Sequence, residues 1–353
     1  MVCKMNPSMK PPPLISVVVL TYNSQDWIEK CLNSLGGQTI STDLEIILAD
    51  NSSSDKTVAL AYQVQKTLPN LQIRELGGNF GYCEGNNRAA QFASGKYLLF
   101  LNPDTWLEPD CLKTLLDEVQ LRNVQAAQPA ILSYVGNEPD SYGVGGLDFM
   151  GLASQAMPCK QTKKIMIVSG SCFLMEKSVF DRLGGFDDKF FMYADEDDLS
   201  FRLWVAGYKA IVVPNAIIHH RGTSHVNPSG KEKIVEYRTT AKARYLATRN
   251  GLLTLLKNAE HILLALAASY VFFHLLESVL ALILTRNVQF AKHAYWDGIR
   301  DAWKMRQHVF AQRRKIKKLR ARSDWWMLRF LRLRPNRWLL FEKMLKMGVP
   351  KVS

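Results

Sequence analysis

Tyr97-Leu98-Leu99-Phe100-Leu101-Asn102-Pro103-Asp104-Thr105 is the stretch whose reading decides the fold. Five consecutive apolar or aromatic residues, flanked by Gly95 and Pro103, predict a strand of a parallel sheet covered on both faces. The run stops at an amide, a proline and a carboxylate, which delivers Asp104 to the carboxyl edge of the sheet. Open α/β sheets place their ligands along that edge, so Asp104 is a candidate for holding a metal or a polar substrate. A turn or helix cap is the plainer use of an Asp after a strand.

Working outward, three earlier stretches repeat the pattern. Ile15-Ser16-Val17-Val18-Val19-Leu20 breaks at Thr21-Tyr22-Asn23-Ser24, and Trp27, Ile28, Cys31, Leu32 and Leu35 then recur at helical spacing. Glu45-Ile46-Ile47-Leu48-Ala49 ends in Asp50-Asn51-Ser52-Ser53-Ser54-Asp55 before a helix from about Lys56. Residues 71–74 lead through a loop over 77–87 into a helix expected at residues 88–93. Four strand–helix alternations imply a parallel sheet with right-handed crossovers and set four polar loops along one rim. Their Asn, Asp, Ser, Thr and Gly residues supply short hydrogen-bonding arms and backbone amides suited to a nucleotide and its phosphates, though the same residues serve as ordinary caps.

Residues 123–164 loosen into Gly- and Pro-rich sequence, read as irregular loops around short strands and a substrate-facing lid. Order returns at residues 165–168 and 172–175. Asp195-Glu196-Asp197-Asp198 then opens a helix through Leu199, Phe201, Leu203, Trp204 and Ala206, with Gly207 as its stop. Acids in a first turn complement the helix dipole. Four in a row exceed that need, and their repulsion raises at least one pKa, as a general base requires. Strand-like residues 210–213 and 216–218, either side of Pro214 and Asn215, lead to His219 and His220, with His225 beyond; imidazoles there suit a metal or a diphosphate, or simply a surface loop.

The formal net charge of the 353-residue chain is +13, and from Arg286 onward 19 Lys or Arg face only Asp297, Asp301, Asp324 and Glu342. A neutral body with a basic tail indicates an anionic surface touched by the tail rather than a nucleic-acid binder. The six cysteines are scattered without metal or disulfide spacing, which indicates reduced thiols. Residues 1–13 read as a flexible leader without an apolar signal core.

In order and spacing, Val19-Leu20-Thr21-Tyr22-Asn23, Asp50 to Asp55, Asn79-Phe80-Gly81-Tyr82 with Gly85-Asn86-Asn87, Leu101 to Thr105, Gly184-Gly185-Phe186-Asp187 with Phe190 to Tyr193, the acidic run, Pro214 and His220 resemble the inverting glycosyltransferases of family 2, rhamnosyltransferase-like branch. The resemblance implies an α/β GT-A fold, Rossmann-like with a mostly parallel sheet, over residues 14–228. It implies that Thr21, Asn23, Asp50, Asn79, Gly85, Asn86 and Asn102 line the nucleoside-diphosphate sugar. Asp104 and His220 would hold a divalent cation, Mg2+ or Mn2+. The base belongs to an E-D pair followed by x-D-L, which places it at Glu196, with Asp195 and Asp197 as neighbouring alternatives. The implied reaction moves a sugar, rhamnose in this branch, to a hydroxyl of a lipid-linked or polysaccharide acceptor in cell-envelope glycan synthesis. A nucleotidyltransferase would want a Gly-rich basic loop after the first strand, which Thr21-Tyr22-Asn23-Ser24 is not. A non-catalytic sugar-binding protein would not need the full acidic run beside Asp104.

Residues 229–353 read as a basic, amphipathic helical extension. Ala243 to Asn250 resembles the segment that follows the catalytic domain in the same branch. Residues 262–285 are apolar enough to span a bilayer, broken only by His274 and Glu277. The positive charges beyond them oppose export. The expectation is therefore helices lying in the cytoplasmic leaflet, with Trp296, Trp303, Trp325, Trp326 and Trp338 as interfacial anchors and Lys and Arg on anionic lipid. A buried core helix is the competing reading.

Overall fold

A computed structural model describes residues 13–222, 238–333 and 351–352. His225, Trp338 and the leader up to residue 12 lie outside the described residues.

The first half of the chain alternates β1 (Ile15–Thr21), α1 (Ile28–Gly36), β2 (Leu44–Asp50), α2 (Thr57–Gln65), β3 (Leu71–Glu75), α3 (Gly81–Ala90) and β4 (Tyr97–Leu101). β5 (Thr105–Leu107), α4 (Cys111–Arg122), β6 (Ala126–Ser133), β7 (Pro139–Ser141), β8 (Val144–Asp148), β9 (Ala153–Gln155) and β10 (Lys163–Lys164) follow. β11 (Cys172–Glu176), α5 (Lys177–Leu183), α6 (Asp195–Val205) and β12 (Ala210–His220) complete the sheet region. The main sheet runs β10-β12-β6-β11-β4-β1-β2-β3. β1 to β4 are mutually parallel, as are β6 and β12, whereas β11 is antiparallel to both β4 and β6.

The apolar run behaves as a doubly covered strand: Tyr97, Leu99 and Leu101 pack into one hydrophobic core and Leu98 and Phe100 into the other. Register then fixes the rim. Thr21 lies opposite Asp50, and Val19 opposite Leu101, so the ends of β1, β2 and β4 emerge together.

Three sequence readings need correction. The helix expected at residues 88–93 starts at Gly81, so Gly85 and Asn86 sit inside it rather than in a turn. A Cβ at Gly85 would come within 2.8 Å of Leu20 and 3.1 Å of the Asn51 amide, so that glycine lets the helix lie against β1. The stretch 123–164 contains β6, a buried central strand rather than part of a lid; its Pro129 and run of alanines carry no β-branched signal. Residues 165–168 are buried but form no strand of their own: the Ile165 amide donates to Ala210 O of β12 at 3.1 Å, and Ile167 makes an isolated bridge to Val144.

Beyond residue 238 come α7 (Ala241–Asn258), α8 (His261–Thr285), α9 (Val288–Ala291), α10 (Gly298–Lys304) and α11 (Arg306–Leu319). α7 joins the body of the protein, since Leu252, Leu253 and Leu255 share a core cluster with Phe100, Phe173 and Trp204. α8 packs one stripe, Leu263, Ala267, Tyr270, His274 and Ser278, against the protein. Only 28% of its most apolar window is buried, which does not fit a core helix. Phe272, Leu276, Val279 and Ile283 form an exposed stripe on its other side. Trp296, Trp303 and Trp325 are also exposed, and Trp326 is half-buried against Trp204 and Phe330.

Candidate active site

The first two rim loops are tied together. Asn23, at φ 50°, accepts the Ser54 amide on Oδ1 at 2.8 Å, while its own amide donates to Ser53 Oγ at 2.9 Å. Asp50 is buried and accepts from the Ser53 amide and hydroxyl at 2.9 and 2.5 Å. Between them the Thr21 hydroxyl is buried with no hydrogen-bond partner among the described residues. Such an orphaned group at the sheet edge suits a ligand polar atom. Asn79 is exposed and accepts the Gly81 amide at 3.0 Å, capping the start of α3. Asn86 is buried with its amide on Tyr82 O at 2.9 Å, and Asn87 exchanges two 2.9 Å bonds with Phe186.

Asp104 and His220 meet because β12 runs antiparallel to β5 with His220 opposite Thr105. His220 Nε2 lies 3.5 Å from Asp104 Oδ1, and its Nδ1 lies 3.0 Å from Asp140 on β7. Burial lowers the His220 pKa, but the hydrogen bonds and charge of Asp104 and Asp140 outweigh it and raise the imidazole to about 9. Asp140 escaped the sequence reading because it sits in the stretch taken for a lid. The neighbouring His219 is structural: it stacks on Trp106 at 3.8 Å and hydrogen-bonds Ser133 O and Glu108.

The four acids of α6 point in different directions, since successive helix positions turn by about 100°. Glu196 is half-buried beside the neighbouring Asp195, and its carboxylate lies against Gly170, where a Cβ would come within 3.5 Å of it. Gly170 is tied to α3 by the Tyr82 hydroxyl at 2.7 Å, and the next residue accepts the Asn102 amide through Ser171 O at 2.9 Å. Glu196 is thereby linked, across one short loop, to the strand end that carries Asp104. Burial pushes Glu196 upward, and burial plus the adjacent Glu196 charge pushes Asp195 higher still.

Asp197 instead lines a cavity of about 290 Å³ with Tyr193, Arg244, Thr248, Tyr270 and His274, between α6, α7 and α8. Burial and the charges of Glu196 and Asp198 raise it to about 8. Asp198 is fully buried and structural: Arg202 holds it at 2.8 Å, Lys257 at 2.9 Å and Asn258 at 2.8 Å. Lys257 also binds Asp187, which takes His308 of α11 at 2.8 Å.

The backbone entering α6 is strained. Phe191 has φ 66° and ψ −60°, closing a γ-turn in which the Met192 amide donates to Phe190 O at 2.8 Å. Tyr193 and Ala194 follow at φ 70° and 56°. Each such residue costs about 1–3 kcal/mol and persists only where the surroundings enforce it. Phe191 O accepts from the amides of Tyr82 and Cys83, and a Cβ at Gly81 would fall 2.5 Å from that same oxygen.

The site therefore offers a sheet edge with an orphaned hydroxyl and backbone amides, a paired Asp and His beside it, and two adjacent acids, Asp195 buried and Glu196 half-buried. The chain is similar to known glycosyltransferases. An N-acetylglucosaminyl-diphospho-decaprenol L-rhamnosyltransferase of Mycobacterium tuberculosis is 29% identical over 241 residues, 60% of this chain and 77% of that protein. The rhamnosyltransferase WbbL of Escherichia coli is 27% identical over 256 residues, 67% of this chain and 94% of that one. The crystal structure of GalNAc-T7 with UDP, GalNAc and Mn2+ superposes with a TM-score of 0.64 at 13% identity, covering 98% of this chain and 60% of that one, which speaks to the fold. Residues 16–184 match the profile of Glycosyl transferase family 2, so this part of the chain is a glycosyltransferase domain of that family, with the GT-A fold.

Proposed function

We propose that the enzyme is an inverting hexosyltransferase that moves rhamnose from a nucleoside-diphosphate donor to a hydroxyl of a lipid-linked glycan acceptor at the cytoplasmic face of a membrane. The observation that carries this reading is the position of Glu196 against Gly170, whose neighbour Ser171 accepts the Asn102 amide at the strand end that leads to Asp104. It sets a carboxylate of raised proton affinity beside the edge where the donor binds.

Thr21, Asn23, Asp50 and Asn102 receive the nucleotide at the edge, with Asn79 exposed beside them. Gly85 and Asn86 act from within α3, by letting it close on β1 and by holding its first turn. Glu196 takes the proton from the acceptor hydroxyl as its oxygen attacks the anomeric carbon from the face opposite the diphosphate. The bond from that carbon to the diphosphate oxygen breaks in the same displacement, inverting the centre. Asp195 is the buried acid beside Glu196, and burial together with the Glu196 charge raises its own proton affinity.

The residues present fit a divalent cation. One carboxylate oxygen and one imidazole nitrogen face each other at 3.5 Å, and Asp140 on the far nitrogen orients the ring as carboxylates do behind metal-bound histidines. Asp104 and His220 would hold it, the imidazole giving up its proton on binding. When bound, the cation neutralises charge on the departing diphosphate.

The exposed stripe of α8, the exposed tryptophans and the basic α11 support seating against an anionic lipid surface. Release of nucleoside diphosphate from a panel of sugar nucleotides, with Mg2+ or Mn2+ and then with chelator, tests the assignment. Turnover that survives chelation, or is unchanged in Asp104→Ala, overturns it.

A further inference from the structure

We infer that Asn250 of α7 is a positioning residue for the base, holding the strained loop that aims Glu196; the inference rests on Glu196 acting as proposed above.

The two N–H groups of the Asn250 side-chain amide are shared among three loop carbonyls, Phe190 O at 3.0 Å, Met192 O at 2.9 Å and Tyr193 O at 2.9 Å. These are the oxygens of the γ-turn and of the left-handed residues that lead into α6. Asn250 is fully buried, so no water competes for them. Its orientation is set from behind, because Arg249 Nε donates to Asn250 Oδ1 at 2.9 Å. Arg249 also donates its terminal nitrogen to Lys189 O at 2.9 Å and Phe190 O at 3.1 Å. Two adjacent side chains of one helix thus bond the carbonyls of four of the five residues 189–193.

On its opposite side the loop is held by the α3 amides on Phe191 O. It is therefore clamped between α3, which also supports Gly170 through Tyr82, and α7. Ala194 caps α6 with no side-chain bond of its own. The direction in which Glu196 leaves the helix start depends on these contacts to the loop. None of the Asn250 or Arg249 bonds reaches Thr21, Asp50 or Asp104, so loss of the clamp should move transfer more than donor binding.

The test uses the full chain and the sugar nucleotide that the wild type turns over. Asn250→Asp keeps the shape but replaces the donor with an acceptor facing carbonyls. The expected result is a fall in kcat of about tenfold or more, with donor KM within about twofold of wild type. Asn250→Gln, which keeps an amide donor, recovers part of the loss. Hydrogen exchange of a peptide spanning residues 189–195 should accelerate in Asn250→Asp while peptides from β1 and β4 stay protected. Should Asn250→Asp not fold, Arg249→Gln, which weakens the orienting bond, reads the same split. Unchanged kcat in a folded variant, a donor KM that rises in step with the loss, or unchanged exchange over residues 189–195 overturns the inference. A wild type that turns over no sugar nucleotide defeats the functional reading instead, and the exchange measurement still decides the clamp.

Discussion

Nζ of Lys257 lies 2.9 Å from Oδ1 of Asp198, joining a helix beyond residue 238 to the helix that carries the acidic run. Both side chains are almost wholly buried, and the same ammonium binds Asp187. The division at residues 228 and 229 expected from the sequence is thus crossed by a shared charge cluster, and α7 packs into the same folded body as α6.

Lys257→Met leaves two buried carboxylates without their shared cation. Breaking a buried pair in this way costs about 3–5 kcal/mol, measurable as a lowered midpoint in urea unfolding. A truncation ending at residue 228 should lose its fold rather than yield a soluble catalytic domain.

The same cluster gives a stability dependence on pH. Burial pushes Asp187 and Asp198 up, but His308 and Lys257 at Asp187, and Arg202 and Lys257 at Asp198, outweigh it and hold both below the usual carboxylate range. Carboxyls depressed on folding contribute fully above their unfolded value, about pH 4, and the contribution is lost as pH falls through the folded values. Thermal midpoints should therefore drop at acid pH, and in Lys257→Met the drop should begin at higher pH.

Asp140→Asn should weaken metal-dependent turnover without touching a metal-binding atom. It removes the charge that orients His220, and second-shell changes of this kind cost about 10–100-fold in metal affinity. Titrating Mn2+ against nucleoside diphosphate release reads the shift, and an unchanged half-saturating concentration contradicts the assigned role.

Placing a carboxylate on the exposed stripe of α8 should release the protein from lipid. Val279 and Ile283 are 56% and 66% exposed, so Val279→Glu and Ile283→Glu leave the packed face alone. Co-sedimentation with anionic vesicles should fall by about tenfold for each. Retention at wild-type levels would mean that another surface makes the contact.

The four parallel strands and their rim were legible because each is an unbroken apolar run closed by turn residues, and Asp104 follows from the same pattern. β6 was not, because alanines and Pro129 form a central strand only through their place in the sheet. Asp140 was hidden for a related reason: its meaning comes from His220, eighty positions away and brought near by strand pairing. The acidic run was visible as a cluster, but sequence could not separate its members. Helix rotation does so, sending Glu196 to Gly170, Asp197 to a cavity and Asp198 into ion pairs. Asn250 was marked only as the end of a segment resembling the rhamnosyltransferase-like branch and Lys257 not at all, since the partners that give them their roles lie in a loop and a helix about sixty residues earlier.

The identity of the base is the central claim, and its pH–rate profile is informative because burial raises Glu196 above the ordinary glutamate value of 4.5. The base must be ionised, so kcat should fall as pH drops through that raised value, with an acid limb above pH 4.5. The most direct measurement is transfer and donor binding in Glu196→Gln beside Asp195→Asn and Asp197→Asn. The account predicts that Glu196→Gln loses about 10²–10⁴ in transfer while still binding donor, and that Asp197→Asn retains most of its rate. A Glu196→Gln enzyme that transfers at near wild-type rate, or an Asp195→Asn or Asp197→Asn enzyme that alone loses it, would contradict the account.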